Sequence, residues 1–177
     1  MKITLYGAAS HQIDEVYKEE GKKLGKEIAK RNHTLIFGGG GEGMMGSVAN
    51  ECLKEDIEVI GIIPELFRNQ NLTFNKVIYT KDMKERKKEL RELADGFIIS
   101  PGGIGTLDEF FEVLELTKHE IESKPIAIFN INNYFTDIVN FIEKNVETGF
   151  IPEKILQKYK VTTTVEETLN YLEKSEK

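Results

Sequence analysis

The sequence predicts an α/β fold in which helices cover both faces of a doubly wound parallel sheet. Two observations support this prediction. Short apolar runs alternate with helical patterns along the chain, and the runs at 59–63 and 126–129 carry no polar side chain. Strands that are buried on both faces have this composition, and strands that alternate with helices pair in parallel. Such sheets bind ligands at the carboxyl ends of the strands, where loops enter helices.

The apolar periodicity places each element in order. Strands are predicted at 3–6, 34–37, 58–63, 76–79, 96–99, 125–129 and 159–163. Helices are predicted at 13–31, 44–54, 82–94, 107–120, 135–147 and 165–174. The first helix should bury Val16, Leu24 and Ile28 on one face, and Thr164 with Glu167 should cap the last helix.

Composition narrows the class of protein. A chain of 177 residues that is 40 % hydrophobic can bury the core of one domain, here 1–177, and no segment resembles a leader or a membrane span. The lone Cys52 cannot form an internal disulfide, which favours the cytoplasm.

A net charge of −6 argues against a nucleic-acid partner. His11, His33 and His119 lack metal-ligand spacing, so we expect surface histidines and no metal.

A first glycine-rich loop, 38–46, lies between a predicted strand and a predicted helix. Glycines let the backbone approach a ligand closely, and a helix N-terminus offers free N–H groups to an anion. The loop lacks the Gly-Lys-Ser/Thr of a Walker A loop and fits the dinucleotide fingerprint poorly. A tight turn without a ligand is the alternative.

A second glycine-rich loop, 101–106, follows the strand at 96–99 and opens the helix that carries Phe110, Val113 and Leu114 inward. Gly103, Gly105 and Thr106 could present amides and a hydroxyl to a phosphate at the helix N-terminus. Glu109 lies three residues after Thr106, close to this anion site. A carboxylate beside a phosphate is unfavourable unless it is used, so we expect Glu109 to face the sugar or an attacking water. The alternative is an acidic residue in the first turn that only interacts with the helix dipole.

The helix at 82–94 is densely charged, which by itself favours a solvated face. It begins at the carboxyl end of a strand, however. That position can bring Met83 and Arg86 over the same crevice as the second loop.

Taken in order, these motifs resemble those of one family. Phe37 to Gly46, Met83-x-x-Arg86-Lys87 and Pro101-Gly102-Gly103-x-Gly105-Thr106-x-x-Glu109 resemble the signature of the LOG ("lonely guy") family, long mislabelled as lysine decarboxylases. The resemblance extends over nearly the whole chain, from the loop at 6–10 to the segment at 125–151. Two positions differ: the chain has Glu115-Leu116 where Thr-Trp is common, and no acidic residue stands between Glu65 and Asp82.

The resemblance implies a Rossmann-like homodimer without a cofactor that acts on a nucleoside 5′-monophosphate. Family members are phosphoribohydrolases of cytokinin riboside 5′-monophosphates, and often of AMP, and they release the free base and ribose 5-phosphate. By the family pattern Arg86 and Glu109 form the catalytic pair, and the loop at 103–106 holds the 5′-phosphate. The residues expected to bind the substrate are Ser10, Gly39, Gly40, Gly43, Met83, Lys87, Gly102, Gly103, Ile104, Gly105 and Thr106.

Two other functions stay open. Related Rossmann-like proteins carry molybdenum cofactor, so a non-catalytic carrier of a nucleotide or of that cofactor is the leading alternative. An interaction module, in which the glycine loops are only turns, is the other. The presence of both Arg86 and Glu109 favours the enzyme.

Overall fold

The computed structural model describes residues 1–68 and 74–175. Seven strands form one sheet in the order β4-β3-β2-β1-β5-β6-β7, and every neighbouring pair is parallel. The strands are β1 Lys2–Tyr6, β2 Thr34–Phe37, β3 Val59–Pro64, β4 Lys76–Thr80, β5 Gly96–Ile99, β6 Ile126–Phe129 and β7 Lys160–Thr162. The helices are α1 Glu15–Lys30, α2 Gly43–Lys54, α3 Met83–Glu92, α4 Ile104–Lys118, α5 Thr136–Glu147 and α6 Val165–Ser175. This architecture confirms the predicted fold class.

The chain winds outward from the centre of the sheet in both directions. It starts at β1, moves through β2 and β3 to the edge strand β4, and then returns to β5 on the other side of β1. The connections after β1 and β2 therefore diverge from the connection after β5. A crevice opens at this reversal of strand order, and it is where ligands bind in open α/β sheets.

The sheet is buried on both faces by two apolar clusters. Leu5 of β1 points into the cluster formed with α1, α2 and α6, whereas the next residue, Tyr6, points into the cluster formed with α3, α4 and α5. Side chains alternate across a strand, so consecutive residues of one strand serve the two layers. Both faces of the central strands must then be apolar, as their sequences are.

Some predicted details differ from the structure. Helix α4 begins at Ile104, about one turn before the predicted start at Leu107. The amides of the first turn have no intrahelical acceptor, so this turn tolerates Gly105. Helix α1 begins at Glu15, and Val16 is 40 % exposed rather than buried. His33 is buried and does not lie on the surface as predicted. Its Nε2 is 2.8 Å from Glu173 Oε1.

The predicted cap of α6 is confirmed. The Glu167 amide donates to Thr164 Oγ1 at 3.1 Å, and the Glu167 carboxylate accepts from the Thr163 amide at 3.0 Å. The predicted strand at 76–79 is β4, while the loop before it lies partly outside the described residues. In the part of the chain that the structure describes, no helix combines the length and the apolar composition needed to cross a membrane.

Candidate active site

A cleft of about 420 Å³ opens at the carboxyl end of the sheet, where the strand order reverses. This volume lies within the range of roughly 300–1,000 Å³ typical of small-molecule pockets. Its walls come from the loops after β1, β2 and β5, from the end of β3 and the segment after it, and from the first two turns of α3 and α4. The lining residues are Gly7, Ala8, Ala9, Gly38, Gly39, Gly40, Met45, Ile63, Pro64, Phe67, Met83, Arg86, Lys87, Gly103, Gly105, Thr106, Asp108 and Glu109.

The second glycine-rich loop forms one end of this cleft. Gly103, Gly105 and Thr106 line it, and within the described residues no side chain caps the N-terminus of α4. The first amides of a helix have no intrahelical acceptor, so they are free to meet an anion. Gly102 lies behind them: its carbonyl accepts from the Tyr134 hydroxyl at 2.9 Å, and a Cβ there would overlap with Thr106 Oγ1. Ile104 is 83 % exposed and does not line the cleft.

The first glycine-rich loop behaves differently. Gly39 and Gly40 line the cleft, but Gly43 packs beneath the loop that follows β1. At Gly43 the backbone has φ of +64°, and a Cβ would lie 2.6 Å from the Ser10 carbonyl oxygen and 2.7 Å from that of Ala8. The Met45 amide, in the first turn of α2, donates to the Ala8 carbonyl at 3.0 Å. Gly43 and Ser10 therefore support the cleft and do not form its wall.

Arg86 joins the first loop to the second. Its helix is started by Asp82, whose carboxylate accepts from the Glu85 amide at 2.9 Å. The Arg86 guanidinium lies on Gly38, where a Cβ would overlap with its Nη2, and it donates from Nη1 to Glu109 Oε1 at 2.8 Å. The two side chains are 12 % and 11 % exposed, so this ion pair is largely removed from water.

Glu109 occupies the second turn of α4, not the first. The earlier start of the helix at Ile104 moves it there, which excludes the alternative of a first-turn residue that only meets the helix dipole. Burial raises the pKa of the Glu109 carboxyl above its ordinary value, although Arg86 works in the opposite direction. A buried carboxyl with a shifted pKa and a charged partner in a cleft is typical of a functional site.

Lys87 also reaches the cleft, but carboxylates of α4 hold its ammonium group. Its Nζ lies 3.1 Å from Asp108 Oδ2 and 2.5 Å from Glu112 Oε2. These contacts, led by the hydrogen bond with Glu112, raise the pKa of Lys87. The raised pKa favours the protonated, positively charged form of Lys87.

Apolar side chains also line the cleft. Met83, which we expect over the same crevice as the second loop, is one of them, and the structure adds Met45, Ile63, Pro64 and Phe67. Sequence reasoning missed these four, together with Asp108 and the Gly7–Ala9 wall. The position of Pro64 at the carboxyl end of β3, and of Gly7 directly after β1, is the signal that could have identified part of this wall. An uncapped helix N-terminus and apolar side chains thus line the same cleft.

The chain is similar to known proteins over most of its length. A family model described as "possible lysine decarboxylase" matches residues 45–172. A cytokinin riboside 5′-monophosphate phosphoribohydrolase of Arabidopsis thaliana, LOG4, is 34 % identical over 97 % of this chain and 81 % of its own length. The probable cytokinin riboside 5′-monophosphate phosphoribohydrolase LOGL6 of Oryza sativa is 34 % identical over 97 % and 70 %, respectively. The chain spans 63 % of the length of a further rice relative, LOGL2, at 35 % identity.

Solved structures share the fold at lower identity. The molybdenum cofactor carrier protein of Chlamydomonas reinhardtii has a TM-score of 0.76 at 17 % identity and covers 98 % of this chain and 96 % of its own. The molybdenum cofactor binding protein of Rippkaea orientalis has a TM-score of 0.75 at 19 % identity, with coverage of 98 % and 95 %. These likenesses confirm the Rossmann-like architecture, whereas the family model, which covers well over half of the chain, and the plant relatives, which cover 97 % of it, show that it belongs to the LOG family.

Proposed function

We propose that this chain is a single nucleotide-binding unit that hydrolyses the N-glycosidic bond of a nucleoside 5′-monophosphate. The substrate is a cytokinin riboside 5′-monophosphate, AMP or both, and the products are the free base and ribose 5-phosphate. The observation that carries the proposal is the buried Arg86–Glu109 pair, joined at 2.8 Å in a cleft that is also lined by an open helix N-terminus and by apolar side chains. The names of the plant relatives support the same reaction.

The substrate phosphate is proposed to lie at the N-terminus of α4. Gly103 and Gly105 have no Cβ to obstruct it, and Thr106 adds a hydroxyl near the free helical amides. The ribose then lies beside Glu109 and Arg86. The base extends toward Ile63, Phe67 and Met83, which offer apolar surface for a flat aromatic ring.

The chemistry is a displacement by water at C1′ of the ribose. The bond between C1′ and the base nitrogen breaks with its electron pair leaving on the base, and the oxygen of water bonds to C1′. One proton of the water is transferred to the departing base. The transition state resembles an oxocarbenium ion, so a carboxylate beside the ribose stabilises it. We assign Glu109 to that stabilisation and to orienting the water, and Arg86 to holding the substrate and steadying the leaving base.

A decarboxylase that uses a lysine Schiff base is not supported by the cleft. Such a lysine must be available as a neutral amine, which a depressed pKa favours. Lys87 lines the cleft, and its contacts with Glu112 and Asp108 raise its pKa instead. The electrostatics of this lysine are therefore opposite to those that the chemistry needs.

The test is to incubate the purified protein with AMP and with isopentenyladenosine 5′-monophosphate and to separate the products by chromatography. We expect release of adenine, of its prenylated derivative or of both, and the relative rates rank the substrates. Tight nucleotide binding without base release would replace the enzyme by a carrier. No nucleotide binding at all would favour an interaction module.

We also propose that the chain forms a homodimer and works in the cytoplasm. Phe111 of α4, Phe141 of α5 and Phe150 after it are 38 %, 59 % and 84 % exposed, and all three line one groove. An apolar surface of this kind is typical of an interface between copies. Light scattering should report twice the mass of one chain, and Phe141→Asp should yield the monomer. A wild-type monomer would contradict the dimer.

A further inference from the structure

The cleft contains a carboxylate that the proposed reaction does not use. Asp108 precedes Glu109 on α4, lines the cleft and has a side chain that is 59 % exposed. A phosphate at the N-terminus of the same helix would be repelled by this charge. Glu112, one turn further along α4, adds a second carboxylate that is 31 % exposed.

Lys87 of α3 contacts both of these carboxylates. Its Nζ is 3.1 Å from Asp108 Oδ2 and 2.5 Å from Glu112 Oε2, and the side chain is 24 % exposed. A lysine ammonium has three donors and no acceptor, so two of its donors are already occupied. Lys87 directly follows Arg86, so one turn of α3 carries both of the cations that contact α4.

We propose that Lys87 is a positioning residue: its charge offsets one of the two negative charges of Asp108 and Glu112 and joins α3 to α4, so that the cleft accepts an anion, and it is not itself a ligand of the phosphate. This inference rests on the proposed function, because it assumes that a phosphate binds at the N-terminus of α4. The Arg86–Glu109 pair has no net charge. Of the other charged residues described here, Lys87 and Asp108 line the cleft, and Glu112 contacts Lys87 from outside that lining.

Lys87 should also act on Glu109. The charged and titratable groups around Glu109 are Arg86 and Lys87 of α3, Asp108 and Glu112 of α4 and Tyr6 of β1. Lys87 and Arg86 lower the pKa of Glu109, whereas Asp108 raises it. Removal of the Lys87 charge alone should therefore raise the pKa of Glu109 and move the acid limb of the pH–rate profile to higher pH.

The experiment compares Lys87→Met with the triple variant Lys87→Met/Asp108→Asn/Glu112→Gln, with inorganic phosphate as the probe in calorimetry. Lys87→Met removes the one positive charge that faces these two carboxylates, which should weaken phosphate binding about fivefold. The triple variant removes one positive and two negative charges, so it should bind phosphate at least as tightly as the wild type. Lys88→Met is the matched control, since Lys88 is the next residue on α3, is 58 % exposed and pairs only with Glu92 among the described residues.

Each outcome decides between two roles of Lys87. Restored phosphate binding in the triple variant, together with an acid limb that moves upward only in Lys87→Met, supports the positioning role. Loss of phosphate binding in both variants would show that Lys87 is a direct ligand, and unchanged binding in Lys87→Met would also overturn the inference. A wild-type protein that binds phosphate but releases no base from AMP would reject the proposed function and leave this inference standing.

Discussion

The two glycine-rich loops have similar sequences and occupy equivalent places in the fold, yet they do different things. Each follows a buried parallel strand and opens a helix. The N-terminus of α2 is closed by the loop after β1, because the Met45 amide donates to Ala8 and Gly43 packs beneath Ser10. The N-terminus of α4 faces the cleft through Gly103 and Gly105. A glycine-rich strand-to-helix turn thus predicts that some group packs closely against its backbone. The neighbouring strands and loops determine whether that group is another part of the chain or a ligand.

The largest effect is expected at Arg86, which lies between the two loops. Arg86→Met removes the cation that contacts Glu109 at 2.8 Å and should lower kcat for AMP by about 10³-fold, because preorganised charge is lost from a dry site. Steady-state assays of base release measure this. Lys84→Met is the control on the same helix, with an exposed side chain outside the cleft, and should retain nearly full activity. Equal losses of kcat in Arg86→Met and Lys84→Met would contradict a catalytic role of Arg86.

The next effect separates glycines within the first loop. A Cβ at Gly38 overlaps with the Arg86 guanidinium, so Gly38→Ala should displace it and reduce kcat by about 10²-fold. Among the residues that the structure describes, no non-neighbouring atom lies within 4 Å of a Cβ at Gly41, so Gly41→Ala should change kcat by less than about twofold. Kinetics of both variants, with melting temperatures as a check on folding, test this. Full activity in Gly38→Ala would show that Arg86 is not seated on this loop.

A third, smaller effect contrasts the loops directly. Gly103 and Gly41 both have open space at the Cβ position, so aspartate can be placed at either without a clash. Aspartate is also a favourable N-cap residue, so Gly103→Asp should fold normally. A carboxylate at the open N-terminus of α4 should raise KM for AMP about tenfold, whereas Gly41→Asp should leave KM within about twofold. Similar KM values for the two variants would remove the functional distinction between the loops.

The smallest effect is on pH dependence. Burial raises the pKa of Glu109, and the proposed role needs its carboxylate form. Activity should therefore be lost as the pH falls through this raised pKa, so that the acid limb of kcat lies above the value of about 4.3 for an exposed glutamate. The measurement is kcat for AMP across roughly pH 4 to 8. An acid limb at or below the ordinary glutamate value would contradict the role of a buried carboxylate.

Much of the fold could be predicted from the sequence because the signal is local. β3 and β6 are apolar throughout, so their burial on both faces and their parallel pairing follow from composition. The start of α4 could not be predicted so well, since Gly103 and Gly105 indicate a loop by propensity. Helix propensity is a weak guide in a first turn, where the amides have no intrahelical partners.

The candidate site was only partly predictable, because its contacts join distant segments. The positions of Arg86 and Glu109 at the ends of strands predict that both lie near the crevice, but only the resemblance pairs them, and no periodicity indicates that their side chains meet. The apolar wall at Ile63 and Phe67 depends on where β3 ends relative to β1, which is a property of the sheet order. The exposure of Ile104 and the packing of Gly43 likewise follow from tertiary structure. Their predicted roles in substrate binding stay predictions, although neither residue lines the cleft.

The role of Glu109 is tested by comparing the wild type with Glu109→Gln in two assays, AMP binding by calorimetry and base release by chromatography. Glutamine keeps the shape of the side chain and removes its charge, and Glu92→Gln, an exposed carboxylate at the end of α3, is the control. We expect the wild type and Glu92→Gln to release adenine, and Glu109→Gln to bind AMP but release adenine at least about 10²-fold more slowly. Adenine release by Glu109→Gln at the wild-type rate would contradict the central claim that this pair performs the reaction.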